Sequence, residues 1–235
     1  MIDLRLAGYQ AAGIGRSALR LTAALAARDP GIELTALTPA RGAPLELPRG
    51  IRVRSILTPP HHRWERALLT AELVRERADV FHWPDFLPAA QVKGRSVATI
   101  HDLAFLRRPD FLTPGSRGFY SRVPAEATRA DAIIAVSETT RADVVATLGV
   151  PPDRVTVIHH GLDPAFRPDP TPDDEATRAR YGLTDRYLLY VGTVEPRKNL
   201  VGLIRAFDRA RSAGLSREMR LVLAGAPGWL AESTY

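Results

Sequence analysis

Residues 132–161, which read AIIAVSETTRADVVATLGVPPDRVTVIHHG, decide the fold. The opening apolar run AIIAV predicts a buried strand, and Ser137 is a favourable N-cap for the helix that follows it. We expect this helix to end at Leu148, because Gly149 can adopt the left-handed conformation of a C-terminus. The β-rich run VTVI completes a strand–helix–strand unit, which is the building block of a parallel sheet.

The same alternation extends over the preceding 130 residues, where short β-rich runs alternate with Ala-, Leu- and Arg-rich runs of helical period. The sequence therefore predicts an α/β protein with a parallel sheet. Its strands are expected at residues 2–6, 32–37, 51–57, 80–82, 97–100, 132–136 and 155–158. The helix faces expected to pack on the sheet are Ala18, Leu21, Thr22 and Leu25 in the first helix, and Trp64, Ala67, Leu68 and Ala71 in a helix at 63–77.

A change in composition divides the chain. Residues 166–185 are rich in Pro and Asp and are typical of a linker between domains. We predict an N-terminal domain at 1–165 and the start of a second α/β domain at 186–235. About fifty residues are too few to close a core of their own, so the second domain is expected to be incomplete. Its predicted elements are a strand at 187–191, a helix at 199–211 and a strand at 220–224.

The composition argues against several classes of protein. The chain has no cysteine, which excludes disulfides and thiolate metal sites and favours a cytoplasmic location. The net charge of +6 comes from arginines scattered along the sequence, so nucleic-acid binding is not expected. Histidines and carboxylates do not occur at metal-ligand spacing, and no metal cofactor is predicted. An anionic membrane surface stays open as a partner, since His61 and His62 lead into a basic and aromatic segment.

Polar side chains follow four successive predicted strands. They are His82 at the end of the fourth strand, His101 and Asp102 after the fifth, Ser137 after the sixth, and His159, His160 and Gly161 after the seventh. Ligands of parallel α/β sheets bind beyond the carboxyl ends of the strands. We therefore predict a functional rim here, although each histidine taken alone also fits a loop or capping role.

Gly13, Ile14 and Gly15 open a G-x-G-x-x-A string that matches the dinucleotide fingerprint only weakly. Several residues separate it from the first predicted strand, and Glu33 lies at the start of the second strand instead of its end. Both features argue against NAD. Glycines at a helix N-terminus nevertheless permit the close approach of an anionic or polar ligand. The alternative is a tight loop that needs positive φ angles.

The string VGTVEPRKNL at residues 191–200 places two adjacent cations, Arg197 and Lys198, before a predicted helix. Basic residues are electrostatically unfavourable at a helix N-terminus unless an anion binds there. Arg supplies a forked donor, Lys a point charge and Gly192 a close turn, so the string predicts a diphosphate site. Asn199 is the expected N-cap of the helix. The alternative to a diphosphate site is a solvated helix cap that carries basic residues.

Five strings occur in the order seen in family 4 (group 1) glycosyltransferases of the GT-B fold, and the chain resembles that family over nearly its whole length. They are GIGR at 13–16, HDL at 101–103, AIIAVS at 132–137, VIHHGLD at 157–163 and YVGTVEPRKNL at 190–200. The last string is similar to the mannosyl- and rhamnosyltransferase branch that builds surface polysaccharides. The resemblance implies two Rossmann-like domains and a retaining, metal-independent transfer of a sugar. Its co-substrate would be a nucleoside diphosphate sugar, and its acceptor a glycan or a lipid-linked sugar.

The resemblance also implies roles for particular residues. His101 would contact the donor sugar, and Asp102 would orient that sugar or the acceptor; these two are the catalytic candidates. The donor-binding candidates are Gly13, Ile14, Gly15, Gly192, Arg197 and Lys198. The cleft-lining candidates are His82, Ser137, His160 and Gly161.

The chain departs from the family pattern after Lys198. Relatives carry two glutamates separated by seven residues, which hold the sugar and the ribose, and no pair with that spacing follows Lys198 here. We therefore expect little or no transferase activity from these 235 residues alone, as for a truncated gene product. Two other functions remain open: a non-catalytic module that binds the acceptor, and a GT-B nucleotide-sugar epimerase.

Overall fold

The computed structural model describes residues 1–9, 13–28, 31–86, 91–109, 112, 114–183 and 186–228. The chain forms two compact units, Met1–Gly161 and Leu162–Tyr235. Within the described residues, both units are built from parallel strands and helices, which confirms the predicted α/β class. No helix in these residues is both long enough and apolar enough to cross a bilayer.

The first unit contains one parallel sheet of seven strands. They are β1 (Ile2–Asp3), β2 (Thr35–Pro39), β3 (Arg52–Ile56), β4 (Arg77–Trp83), β5 (Lys93–Ile100), β6 (Ala132–Ala135) and β7 (Val155–Val157). Their order in space is β3-β2-β1-β4-β5-β6-β7. The chain therefore runs outward from β1 to β3, then returns to the other side of β1 with β4. The crevice between the carboxyl ends of β1 and β4 is the topological switch point, where α/β sheets bind ligands.

Seven helices connect or flank these strands in the described part of the unit. They are α1 (Arg5–Tyr9), α2 (Gly13–Arg28), α3 (Glu65–Leu73), α4 (Ala104–Arg107), α5 (Pro114–Tyr120), α6 (Val123–Ala127) and α7 (Glu138–Leu148). The predicted limits of α7 are confirmed. The Ser137 side chain accepts a hydrogen bond from the backbone N–H of Thr140, and Gly149 ends the helix at a φ of 67°.

The first strand is shorter than its predicted range of 2–6. It ends at Asp3, and α1 begins at Arg5. The side chain of Arg5 is almost fully buried and bonds to the carboxylates of Asp3 and Glu65. A guanidinium can be buried only with such partners, so these contacts turn the chain out of the sheet after Asp3.

The face predicted for α3 is wrong. Trp64, before the helix, is 58% exposed and Leu68 is 46% exposed, whereas Leu69 and Leu73 are buried. Glu65 lies on the buried face with Leu69 and Leu73, because residues four apart share one side of a helix. The contact between Glu65 and Arg5 therefore sets the rotation of α3, and this contact joins residues sixty positions apart. For α2, Ala18 and Thr22 are buried as predicted, whereas Leu21 is exposed.

Hydrophobic side chains fill both sides of the sheet. One cluster joins the β5 and β6 residues Ile100 and Ile133 to Val144 of α7. A second packs Leu69 and Leu73 of α3 on the sheet, and a third packs Ala18 of α2 against β1 and β2. These layers hold the carboxyl ends of the strands at one edge of the unit.

The second unit contains α8 (Pro172–Arg180), β8 (Tyr187–Val191), α9 (Leu200–Ser212) and β9 (Arg220–Ala224). The two strands pair in parallel, as the sequence predicts, and Val194 and Leu200 form a small buried group. The compact units divide between Gly161 and Leu162, and the predicted limits of the linker at 166–185 stay predictions.

Candidate functional site

Two of the predicted rim residues, His101 and His160, are joined to each other and to two further residues by hydrogen bonds. Nε2 of His101 lies 2.8 Å from the carbonyl oxygen of Pro84, and Nδ1 of His101 lies 3.2 Å from Nε2 of His160. Nδ1 of His160 lies 3.0 Å from Oγ of Ser17 in α2. We call this set, Ser17–His160–His101–Pro84, the histidine chain. It brings together the ends of β4, β5 and β7 and the first turns of α2.

The partners of the histidine chain fix the positions of its protons. A carbonyl oxygen only accepts, so Nε2 of His101 donates to Pro84. In the neutral ring Nδ1 of His101 is then an acceptor, which makes Nε2 of His160 the donor and leaves Nδ1 of His160 to accept from Ser17. Burial, with the neighbouring His101, lowers the pKa of His160 and favours this neutral form.

His82 lies within β4 and its side chain is mostly buried, with Nε2 2.8 Å from Oγ1 of Thr99. Burial, supported by the charge of the N-terminal amino group, lowers the pKa of His82 to about 4. The ring is therefore neutral at pH 7 and its observed contacts are within the sheet.

Ser137 and Asp102 both make capping contacts. Oγ of Ser137 lies 2.9 Å from Oγ1 of Thr140, and that hydroxyl donates to the backbone oxygen of His101 at 3.2 Å. Ser137 thus holds Thr140, and Thr140 holds the backbone of His101, which is one of the catalytic candidates. Oδ1 of Asp102 accepts a hydrogen bond from the backbone N–H of Ala104 at 2.9 Å. The side chain of Asp102 is exposed, and Asp102 directly follows His101 in the sequence. Gly161 is exposed.

The glycines of residues 13–15 lie in the first turn of α2 and do not form a loop with positive φ, so that alternative is wrong. Gly15 is required by packing. A Cβ built on Gly15 would lie 2.8 Å from Cα of Ala7, whereas one on Gly13 would meet nothing within 4 Å. The string that resembles a fingerprint therefore lets α1 and α2 pack closely. Ile14 and Gly15 also line a cavity.

This cavity was not predicted from the sequence. It lies at the carboxyl ends of β1 and β4, the topological switch point, and we call it the switch-point cavity. Its polar lining consists of Asp3, Arg5, His61, Glu65 and Asp85, and its apolar lining includes Ile14, Pro60, Pro84 and Phe119. The sequence signal that could have found it is the carboxylate of Asp85 directly beyond the fourth strand.

Arg5 forms the centre of a buried ion network at this cavity. Its Nη2 lies 2.7 Å from Oδ2 of Asp3 and 2.7 Å from Oε1 of Glu65, and Nη1 donates to the carbonyl oxygen of Thr58 at 2.9 Å. Burial acts to lower the pKa of Arg5, but the two carboxylates outweigh it and hold the pKa above its ordinary value. Burial raises the pKa of Glu65.

His61 and Asp85 form a second ion pair in the same lining. Nε2 of His61 lies 2.5 Å from Oδ2 of Asp85, and the imidazole packs on the ring of Phe119 with the centroids 4.4 Å apart. Burial lowers the pKa of His61, yet the bond to Asp85 outweighs it and the net shift is upward. The other oxygen, Oδ1 of Asp85, is buried and has no hydrogen-bond partner among the described residues.

In the second unit, Arg197 and Lys198 lie in a 3₁₀ turn directly before α9, as the diphosphate prediction requires. Arg197 is held by Glu195, which is 3% exposed: Nη2 of Arg197 lies 2.8 Å from Oε1 of Glu195. Lys198 is exposed. Asn199 occupies the N-cap position with φ 52° and ψ 41°, but its side chain makes no capping bond, which corrects the expected role.

Gly192 is needed where β8 ends. Its N–H donates to the carbonyl oxygen of Ala224 at 2.9 Å, and its φ of 155° is outside the usual range of other residues. A Cβ on Gly225 would lie 1.9 Å from the carbonyl oxygen of Gly192. The loops after β8 and β9 therefore run in close contact, and Gly225 is a residue that the sequence analysis missed.

Comparison with known proteins identifies the family. Residues 11–166, more than half of the chain, match Glycosyltransferase Family 4. The chain belongs to glycosyltransferase family 4. This match contains Ser17, His101 and His160 of the histidine chain and most of the switch-point cavity.

Curated family relatives include two classes of enzyme. The chain is 33% identical over 142 residues to the serotype-specific mannosyltransferase WbdA of Escherichia coli, covering 59% of this chain and 17% of WbdA. It is 30% identical over 206 residues to D-inositol 3-phosphate glycosyltransferase 1 of Catenulispora acidiphila, covering 77% of this chain and 48% of that protein. The chain thus spans less than half of these relatives.

Solved structures show the same fold. WaaG, a glycosyltransferase involved in lipopolysaccharide biosynthesis, superposes with a TM-score of 0.68 at 19% identity, over 99% of this chain and 67% of WaaG. Anabaena HepE in complex with UDP-glucose superposes with a TM-score of 0.65 at 17% identity, over 99% of this chain and 62% of HepE. The predicted α/β fold of GT-B type is confirmed.

Proposed function

We propose that this family 4 chain serves a retaining transfer of a mannose-like sugar from a nucleoside diphosphate sugar to a glycan or lipid-linked acceptor. The mannosyltransferase relatives support the sugar, and the relative bound to UDP-glucose supports the donor class. The observation that carries the proposal is the histidine chain. It places oriented hydrogen-bonding groups at the carboxyl ends of β4, β5 and β7, within the segment that matches the family.

Arg197 and Lys198 are proposed to hold the donor diphosphate. As the bond between sugar and phosphate breaks, negative charge grows on the leaving diphosphate, and fixed cations stabilise that charge without a metal. The buried carboxylate of Glu195 holds the guanidinium of Arg197 in place while leaving part of it exposed. Glu195 is therefore a positioning residue for the donor site.

His101 and Asp102 are proposed to act at the reacting sugar. Both ring nitrogens of His101 are engaged in the histidine chain, so its orientation is fixed before a ligand arrives. A ring held in this way does not have to reorient when a sugar hydroxyl replaces His160 as the donor to Nδ1, and such preorganised groups are the ones that stabilise a transition state. Asp102 contributes an exposed carboxylate that can accept from a sugar hydroxyl.

Calorimetry with the purified chain tests the donor site. We expect binding of a GDP-, UDP- or dTDP-sugar, and a loss of about tenfold or more in affinity after Arg197→Ala with Lys198→Ala. Arg211→Ala is the matched control, since it removes a cation from the other end of α9. Unchanged affinity in the double variant would refute the site. If the chain binds an acceptor glycan but does not bind a nucleotide sugar, the non-catalytic module is favoured. If nucleotide is released without formation of a new glycosidic bond, the epimerase is favoured.

We also propose a cytoplasmic location with peripheral contact to an anionic membrane. The face of α3 that was expected to be buried is exposed, with Trp64 and Leu68 on the surface. The guanidinium of Arg63 lies 5.4 Å from the centre of the Trp64 ring. An exposed aromatic and aliphatic face beside a cation is the combination that binds the interface of anionic lipids.

A further inference from the structure

The carbonyl group of Pro84 decides which nitrogen of His101 carries the proton. Nε2 of His101 lies 2.8 Å from this oxygen, and a carbonyl oxygen only accepts, so the proton is on Nε2. Nδ1 of the neutral ring then keeps its lone pair, which accepts from Nε2 of His160 at 3.2 Å. If the carbonyl turned away, the proton could move to Nδ1 and the ring would become a donor there. The hydrogen-bonding character of His101 therefore depends on the direction of one backbone group.

Asp85 holds the peptide unit to which this carbonyl belongs. The C=O of Pro84 and the N–H of Asp85 lie in one plane, and the pyrrolidine ring fixes φ of Pro84, so the direction of the carbonyl follows the position of Asp85. Oδ2 of Asp85 accepts from Nε2 of His61 at 2.5 Å. The buried Oδ1 of Asp85 has no hydrogen-bond partner among the described residues. Within the described part of the chain, His61 is therefore the residue that anchors this carboxylate.

The backbone on both sides of this ion pair is strained. Phe86, directly after Asp85, has a φ of 30°, and His61 has a φ of 61°. Residues other than glycine seldom adopt positive φ, and such conformations persist only where surrounding contacts hold them. Phe86 is buried, and the centre of its ring lies 5.3 Å from that of Phe105. The turn is thus held by packing on one side and by the bond between His61 and Asp85 on the other, and loss of that bond would allow the peptide unit to relax.

His61 is anchored independently of Asp85. Its backbone N–H donates to Oε2 of Glu65 at 2.7 Å, and its ring packs on that of Phe119 with the centroids 4.4 Å apart. Glu65 is in turn bound to the buried guanidinium of Arg5. His61 therefore has a fixed position from which it can hold the carboxylate of Asp85.

We propose that His61 and Asp85 are positioning residues for His101, which keep its proton on Nε2 and present Nδ1 as an acceptor by holding the carbonyl group of Pro84. A ring in this form accepts a hydrogen bond from a sugar hydroxyl, whereas the other form would donate to it. The use of Nδ1 by a sugar rests on the proposed function. The position of the proton does not, because it depends on contacts within the first unit and needs no ligand.

Long-range proton–nitrogen NMR of the histidine rings in the 235-residue chain at pH 7 tests this proposal, because a ring nitrogen changes its chemical shift when it loses its proton. We expect His101 of the parent chain to carry its proton on Nε2. In Asp85→Ala the ratio of the Nε2–H form to the Nδ1–H form of His101 should fall about fivefold, which is the effect of losing one hydrogen bond. Asp85→Asn keeps an oxygen that accepts from His61, and should restore the ratio to within about twofold of the parent value. An unchanged ratio in Asp85→Ala, or no recovery in Asp85→Asn, would overturn the proposal.

Glu126→Ala is the matched control. The side chains of Glu126 and Asp85 are 14% and 15% exposed, and each has one buried oxygen without a hydrogen-bond partner among the described residues. Glu126 pairs with Arg66 instead of His61, so its variant should leave the ratio of the two His101 forms unchanged. An equal fall in this control would show a general loosening of the unit and would count against the proposal.

His61→Gly decides if Asp85→Ala does not fold. Glycine adopts the φ of 61° without strain and removes the donor to Asp85, so the ratio of the His101 forms should fall as in Asp85→Ala. The ring signals of His82 in β4 report whether the sheet is intact and should be retained in every variant. Calorimetry with a nucleotide sugar separates this proposal from the donor site. Nucleotide binding with an unchanged His101 ratio in the variants would sink this proposal alone, and the reverse result would sink the donor site alone.

Discussion

The imidazoles of His101 and His160 lie nearly parallel, with their centroids 5.2 Å apart and their rings inclined by 14°. A hydrogen bond of 3.2 Å joins them although 59 residues separate them in the chain. Two stacked imidazoles cannot both take up a proton without repulsion, and His101 adds in this way to the effect of burial, which lowers the pKa of His160.

This coupling predicts the titration of His160. Replacing His101 with Ala removes the neighbouring ring and admits water, and both changes should raise the lowered pKa of His160 toward its ordinary value. Nitrogen-detected NMR titration of the ring measures the shift. His62→Asn, at an exposed position, should leave the pKa of His160 where it is. An unchanged pKa in His101→Ala would contradict the coupling.

His82 predicts a dependence of stability on pH. Its pKa is about 4 in the folded chain and 6.5 when unfolded, so the unfolded chain binds more protons between these values. The contribution of His82 is therefore complete above pH 6.5 and is lost as the pH falls toward 4, by up to about 3 kcal/mol. Urea unfolding from pH 7 to 4.5 should show this loss in the parent chain and a smaller one in His82→Gln. Parallel curves would show that the ring does not titrate in this way.

Arg5 predicts a large loss of stability. Arg5→Met would leave the buried carboxylates of Asp3 and Glu65 without their cation, and should lower the free energy of unfolding by about 3–5 kcal/mol. Arg52 makes an exposed ion pair of 3.7 Å with Glu33, and Arg52→Ala should cost less than about 1 kcal/mol. Urea unfolding at pH 7 compares them. Equal losses would mean that the network contributes no more than a surface pair.

Two glycines in one helical turn predict opposite effects. Gly15→Ala would force a Cβ against Ala7 and should destabilise the chain by about 1–3 kcal/mol. Gly13→Ala meets open space and should be neutral or slightly stabilising, because Ala favours helix. Thermal unfolding followed by circular dichroism measures both. Equal melting temperatures for the two variants would contradict the packing interpretation of Gly15.

The exposed face of α3 predicts membrane binding. Trp64→Ala should reduce the fraction of chain that sediments with vesicles containing anionic lipid, and vesicles of neutral lipid should bind little of either chain. Tyr181→Ala is the matched control, since Tyr181 is an exposed aromatic residue 5.5 Å from the guanidinium of Arg180. Equal loss in both variants would show only nonspecific adhesion.

Local chemistry was sufficient to predict some elements. The limits of α7 follow from Ser137 and Gly149, whose capping roles depend on a few neighbouring residues. The end of β1 and the rotation of α3 could not be predicted in this way. Both depend on the contact of Arg5 with Glu65, and a buried ion pair between distant residues leaves no periodic signal in the sequence.

The candidate site shows the same division. The rim histidines were found because parallel strands carry their ligands at one end, which sequence order alone indicates. The switch-point cavity was missed because it depends on which strands are neighbours. Only the order β1-β4 brings Asp85 beside Asp3, and His61 reaches Asp85 from a connection 24 residues earlier. The roles proposed for individual rim residues stay predictions.

The engagement of both nitrogens of His101 has a consequence for substrate entry. An incoming sugar that bonds to this ring must take over a position held by His160, so His160 has to swing aside at the moment of arrival. The exchange replaces the hydrogen bond between His101 and His160 with a hydrogen bond of similar strength between His101 and the sugar. The ring of His101 therefore adds little to the affinity for the sugar. The advantage is preorganisation, because the imidazole of His101 already has its orientation when the sugar binds.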